Sequence, residues 1–142
     1  MTTSAPASTY QLRVADLMSL DPVTVPIDAT VEEAEALLRH HRITGLPVVD
    51  ERDQLAGVIG QTDLLYLAMP TVQALIHRRA SGIRVGEVMS SPPVTIDASA
   101  TLTDAARIMD RGRLHRLVVI DEKGRPIGVL AAMDFVALAA EG

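Results

Sequence analysis

Apolar residues recur along this chain with two alternating periods. Val31, Ala34, Leu37 and Leu38 lie three and four residues apart, as do Leu102, Ala105, Ile108 and Met109. Each set gives a predicted helix one apolar face. Thr30 and Thr101 stand just ahead of these helices, with Glu33 and Asp104 three residues on. That is the order of a capping box, and Glu33 fits it better because Asp104 has the shorter reach. Apolar runs rich in β-branched residues predict strands at Val23-Thr24-Val25 and Val94-Thr95-Ile96. Further runs, Gly45 to Asp50 with Leu55 to Ile59 and Arg116 to Asp121 with Ile127 to Leu130, predict two hairpins closed by acidic turns. Pro47 has no amide donor and is expected at a strand start or a sheet edge, a limit Val118 escapes. Asp63 to Ala80 and Asp134 to Ala140 predict closing helices, the first kinked or broken at Met69-Pro70.

The pattern is written twice. Val14 to Leu64 returns without a gap as Val85 to Phe135, and about a third of the paired positions are identical. Met18 falls on Met89. Pro22-Val23-Thr24 falls on Pro93-Val94-Thr95, Gly57-Val58 on Gly128-Val129 and Asp63 on Asp134. Two long copies favour a closed, pseudo-symmetric pair over an open array. The expected organisation is a loose tail over 1–11, a first repeat over 12–80 and a second over 81–142, each with the order β-α-β-β-α. Ala80-Ser81-Gly82 would link the copies, and the basic His77-Arg78-Arg79 would complement the negative end of the extended first closing helix.

Composition narrows the function. Of 142 residues 48% are hydrophobic but only 2% aromatic, so aliphatic side chains must fill the core and no aromatic stacking platform is available. With a formal charge of -5, that argues against nucleic acid as a partner. The chain has no cysteine, which removes disulfides and thiolate chemistry and makes a reducing cytoplasm the expected compartment. No apolar run approaches the roughly 20 residues that span a bilayer, so no membrane partner is expected.

VADLMSLDPVTV and VGEVMSSPPVTI open the copies, ITGLPVVD and LHRLVVID form their central strands, and GVIGQTDLL and GVLAAMDFV close them. Doubled and at this spacing, these segments resemble tandem CBS (cystathionine-beta-synthase type) domains, also called Bateman modules, over about residues 12 to 140. The resemblance implies an α/β (α+β) fold of two β-α-β-β-α repeats packed about a pseudo-twofold axis. It also implies clefts that in many relatives hold AMP, ADP, ATP or S-adenosylmethionine, and assembly into a homodimer. Such pairs act as sensors for an attached or separate regulated protein. With no attached domain evident, the chain reads as a stand-alone module whose output passes through an unidentified partner or its own assembly state.

In nucleotide-binding relatives the closing segment reads Gly, two apolar residues, Ser or Thr, two variable residues, then Asp. Asp63 and Asp134 match the carboxylate, which there accepts the ribose hydroxyls. The hydroxyl position holds Gly60 and Ala131, so neither copy supplies it; Thr62 offers a substitute in copy one, Met133 none in copy two. Asp63 and Asp134 either cap their helices alone or also grip a diol, and the two roles compete. His115-Arg116 match a pair that some relatives set against phosphate, whereas copy one has Thr44-Gly45 there; the alternative is a solvated turn. Val23, Thr24, Pro47 and Val48, with Val94 and Thr95 in copy two, could line an adenine slot or simply belong to the core. His40-His41 point about 100° apart with no third ligand at helical spacing, so no metal is expected. Nor does any arrangement of catalytic residues appear, so the chain is expected not to be an enzyme. The expected function is sensing of an adenosine-type nucleotide; the alternative is a ligand-free dimerisation and interaction platform.

Overall fold

A computed structural model of the chain describes residues 12–67, 69–70 and 82–141. The expected tail over 1–11 and the expected extension and linker, including His77-Arg78-Arg79 and Ala80-Ser81, lie outside the described residues. The elements are α1 (Val14–Leu17), β1 (Ser19–Leu20), β2 (Val25–Pro26), α2 (Val31–His41), β3 (Gly45–Val49), β4 (Leu55–Gly60) and α3 (Gln61–Tyr66). They continue with α4 (Val85–Val88), β5 (Thr95–Asp97), α5 (Leu102–Gly112), β6 (Arg116–Ile120), β7 (Pro126–Ala131) and α6 (Ala132–Glu141). The chain divides into two compact units, Pro22–Pro93 and a second that joins the residues up to Asp21 with those from Val94 onward.

Each unit is a mixed α/β layer. In Pro22–Pro93 the sheet order is β2-β3-β4, with β2 parallel and β4 antiparallel to the central β3. In the other unit the order is β1-β7-β6-β5, with the same relations among β5, β6 and β7. Thr30 caps α2 through a complete box, accepting from the Glu33 amide while Glu33 Oε2 accepts from the Thr30 amide, each at 3.2 Å. At α5 only the Thr101 half forms, accepting from the Asp104 amide at 3.1 Å, as the shorter Asp104 side chain dictates. Val31, Ala34 and Leu38 on α2 and Leu102, Ala105 and Met109 on α5 are buried, so the helical periodicity marked the core faces.

Two local expectations are corrected. The first strand of each copy begins later than the apolar run suggests, at Val25 and at Thr95, because pairing with the central strand starts there, opposite Val48 and Val118. Pro47 lies neither at a strand start nor on an edge but in the middle of central β3, opposite Val58. The reason is the shortness of β2. Thr44 O accepts from the Gln61 amide beside β4, and Val49 O accepts from the Ile27 amide on the β2 side. Alternation along β3 therefore turns Pro47 toward β2, which begins only opposite Val48, and the missing amide costs no ladder bond.

The compact units cut across the two copies. The Val14 amide donates to Ala100 O at 2.8 Å, Ala15 to Ala98 O at 2.9 Å and Leu102 to Leu12 O at 3.0 Å. In the other unit the matching bonds run from Val85 to Ala29 O at 2.8 Å, Gly86 to Ile27 O at 3.0 Å and Val31 to Ile83 O at 3.0 Å. Each copy's opening segment is thus built into the unit that holds the other copy's sheet. Val14 and Val85 are fully buried in those cores, each contributing about 2 kcal/mol by burial alone. Beyond the short helices the segments run along the sheets: Ser19 and Leu20 pair with Val129 and Gly128, while Ser90 makes a single bridge to Val58. A Cβ on Gly57 would sit 2.7 Å from Met89 Sδ and 2.8 Å from Ser90 O; on Gly128 it would sit 2.7 Å from Met18 Sδ and 2.9 Å from Ser19 O. Only glycine lets the opening segment lie this close.

The hairpin turns are held by equivalent aspartates. Asp50 Oδ1 accepts from the Arg52 and Gln54 amides at 2.8 and 3.0 Å, and Asp121 Oδ1 from the Lys123 and Arg125 amides at 2.9 Å each. Asp121 also pairs with the Arg125 guanidinium at 3.0 Å. The hydrogen bond from the Arg125 amide, opposed by desolvation and joined by the Lys123 amide and the Arg125 side chain, holds the Asp121 carboxyl below the usual carboxylate range.

Two outcomes are expected. Gly57→Ala and Gly128→Ala should each destabilise the protein by roughly 1–3 kcal/mol, read as a shift of the urea midpoint at constant slope. Because the folded pKa of Asp121 is depressed, its charge stabilises the native state above the unfolded carboxylate value, about 3.9, and that support is lost as pH falls through the lower folded value. The stability difference between the native protein and Asp121→Asn should therefore be flat from pH 7 to about 5 and shrink below about 4; a difference that grows toward acid would contradict the assignment.

Candidate functional site

In Pro22–Pro93, β2 and β3 run parallel and so start at one end of the sheet, where antiparallel β4 finishes and α3 begins. Val23, Thr24, Thr62 and Asp63 are therefore gathered at that end. In the other unit the same relations gather Val94, Thr95, His115, Arg116 and Asp134. The topology thus brings together, copy by copy, positions that are far apart in sequence.

The two aspartates occupy the third position of their helices, not the cap itself. Asp63 Oδ2 accepts from the Gly60 amide at 2.9 Å and Asp134 Oδ2 from the Ala131 amide at 2.8 Å, so each carboxylate reaches back to tie strand end to helix start. Both are half-buried. Their second oxygens differ. Asp63 Oδ1 accepts from the Ser90 hydroxyl at 2.9 Å, whereas Asp134 Oδ1 accepts no hydrogen bond among the described residues. A Cβ on Gly60 would lie 3.0 Å from Thr44 O, so the side-chain hydroxyl missing from copy one would also be cramped there.

Around the carboxylates, exposure sorts the candidates. Val48 is fully enclosed in the core and Pro47 is buried. Val23, Thr24 and Thr95 are half-buried, and Val94 and Thr62 are exposed. His115 is exposed, and its carbonyl accepts from the Ala132 amide at 2.8 Å. Arg116 starts β6 directly opposite Ala131, the residue whose amide Asp134 holds. The backbone positions of His115, Arg116 and Asp134 thus come together around the β6 start and the β7 end. Among the described residues no group of three or more His, Asp or Glu is placed to hold a metal ion. The residue that sequence reasoning passed over is Ser90; its identity with Ser19 directly after Met in both copies was the available signal.

The CBS domain family model matches residues 14–69 and 85–141. The chain belongs to the CBS domain family. It is similar to CBSX2, a chloroplast CBS domain-containing protein of Arabidopsis thaliana, at 31% identity over 96% of this chain and 67% of that one. The crystal structure of CBSX2 in complex with AMP superposes with a TM-score of 0.79 at 34% identity, covering 91% of this chain and 96% of that one. The CBS domain pair of protein MJ0100, in complex with 5'-methylthioadenosine and S-adenosyl-L-methionine, gives a TM-score of 0.73 at 25% identity, covering 90% and 99%. The inosine-5'-monophosphate dehydrogenase of Mycobacterium leprae is 35% identical over 84% of this chain, which spans only 21% of that enzyme. No described helix is long and apolar enough to cross a membrane.

Proposed function

We propose that this CBS pair is a non-catalytic regulatory module that binds an adenosine-type nucleotide, AMP, ADP, ATP or S-adenosylmethionine, and signals occupancy to a regulated protein in the cytoplasm. The observation that carries the reading is Asp134: half-buried, fixed through Oδ2, open at Oδ1, and gathered with His115 and Arg116 at the sheet end. A carboxylate so held is pre-oriented to accept from a ribose hydroxyl, and the Arg116 guanidinium with the His115 ring donor suits phosphate. The complexes of CBSX2 with AMP and of the MJ0100 pair with adenosyl ligands support the ligand class. Assembly as a homodimer is part of the proposal; Met133 and Val136 on α6 are 70% and 56% exposed, apolar surface that a second copy would cover. The absence of a hydroxyl at Gly60 and Ala131 favours the second reading, a ligand-free interaction platform.

A thermal-shift panel of AMP, ADP, ATP and S-adenosylmethionine separates the two. A ligand at 100 times its Kd stabilises the fold by about 2.7 kcal/mol, whereas a platform shows no shift with any of them. Where AMP binds, Asp134→Ala should weaken it more than Asp63→Ala, by roughly tenfold or more for a lost charge-assisted hydrogen bond. Calorimetric titration checks this, and equal losses would overturn the assignment of the better site to copy two.

A further inference from the structure

We infer that Ser90 is a built-in occupant of the first copy's carboxylate, so that the two copies bind an adenosine-type nucleotide with unequal affinity. The inference rests on the nucleotide reading above and concerns which of its two sites is open. A hydroxyl donating to a carboxylate is the same chemical contact that a ribose hydroxyl would make, and at Asp63 the chain already makes it, from Ser90 Oγ at 2.9 Å. With the Gly60 amide on Oδ2, each Asp63 oxygen carries one bond and keeps a single lone-pair direction for a diol. Asp134 Oδ1 accepts none among the described residues.

The difference follows from how the two opening segments leave their sheets. Ser90 is pinned by its own backbone, which exchanges bonds of 2.8 and 3.0 Å with Val58. The next residue then turns away, with its hydroxyl donating to Ala56 O at 3.1 Å. These bonds set Ser90 Oγ beside Asp63. In copy one the equivalent Ser19 is followed by Leu20, which pairs with Gly128 and extends the ladder by one residue. Asp21 then takes a left-handed conformation, φ 52°. The Ser19 hydroxyl makes no bond to Asp134. The difference between Leu20-Asp21 and Ser91-Pro92 thus turns one of two equivalent serines into a latch and leaves the other idle.

The test is calorimetric titration of AMP into the full chain. Asp134→Ala isolates the first copy's site; adding Ser90→Ala to it should tighten AMP about tenfold, the scale of one hydrogen bond to a charged group. Adding Ser90→Thr, which keeps a hydroxyl, should leave affinity unchanged. The Ser90 backbone bridge to Val58 does not involve the side chain, so these variants are expected to fold, which circular dichroism checks. Native protein that binds AMP, with Ser90→Ala neutral or weakening in the Asp134→Ala background, overturns the latch alone. A native chain that binds neither AMP nor S-adenosylmethionine overturns the nucleotide reading and the latch together.

Discussion

Reciprocal backbone bonding of the two opening segments is the constraint on which the rest of the structure depends. Amides at Val14, Ala15, Val85 and Gly86 have their acceptors in the opposite copy's sequence, at Ala100, Ala98, Ala29 and Ile27. Val14 and Val85 are fully buried, and a buried amide without a partner costs about 1–3 kcal/mol, so each copy's start relies on acceptors from the other copy's sequence. The valines carried with those amides fill the cores, and the segments then lie so close along β4 and β7 that Gly57 and Gly128 admit no Cβ. The doubling of the sequence and the exchange in the structure are two aspects of one requirement.

That exchange also reaches the candidate site. Because the opening segment travels along β4 or β7, its serine lies beside the strand that leads into the closing helix and its aspartate. In one copy both carboxylate oxygens accept a bond from the chain itself, while in the other only one does so among the described residues. The carboxylates at equivalent positions of the two copies therefore differ in their hydrogen bonds through Ser90, a residue outside the closing motif. His115 and Arg116 stand at the start of β6 beside that second carboxylate, opposite the strand end that Asp134 ties down.

Much of this was legible in the sequence. Period and capping residues located α2 and α5 and their buried faces, and the unequal boxes at Thr30 and Thr101 were foreseen from the difference in length between Glu33 and Asp104. The repeat placed Asp63 and Asp134 at equivalent positions, and the family motifs pointed to the CBS fold. What stayed hidden was non-local. Nothing in the local pattern of Val14 or Val85 says that its acceptors belong to the other copy. The missing amide of Pro47 is local and visible in the sequence, whereas the deciding fact is how short a different strand, β2, is. Ser90 had no chemistry of its own to single it out until the fold set it against Asp63.

One unit is contiguous, Pro22–Pro93, while the other must recruit the start of the chain across everything that intervenes. The contacts of Arg84 with Asp28 span 56 residues and those of Arg13 with Ser99 span 86. The longer closure adds only about 0.4 kcal/mol of chain entropy, so equilibrium stability hardly registers it. Order of assembly does: during synthesis the contiguous body has all its parts once residue 93 has emerged, whereas the segment from Leu12 to Leu20 must wait for strands translated last.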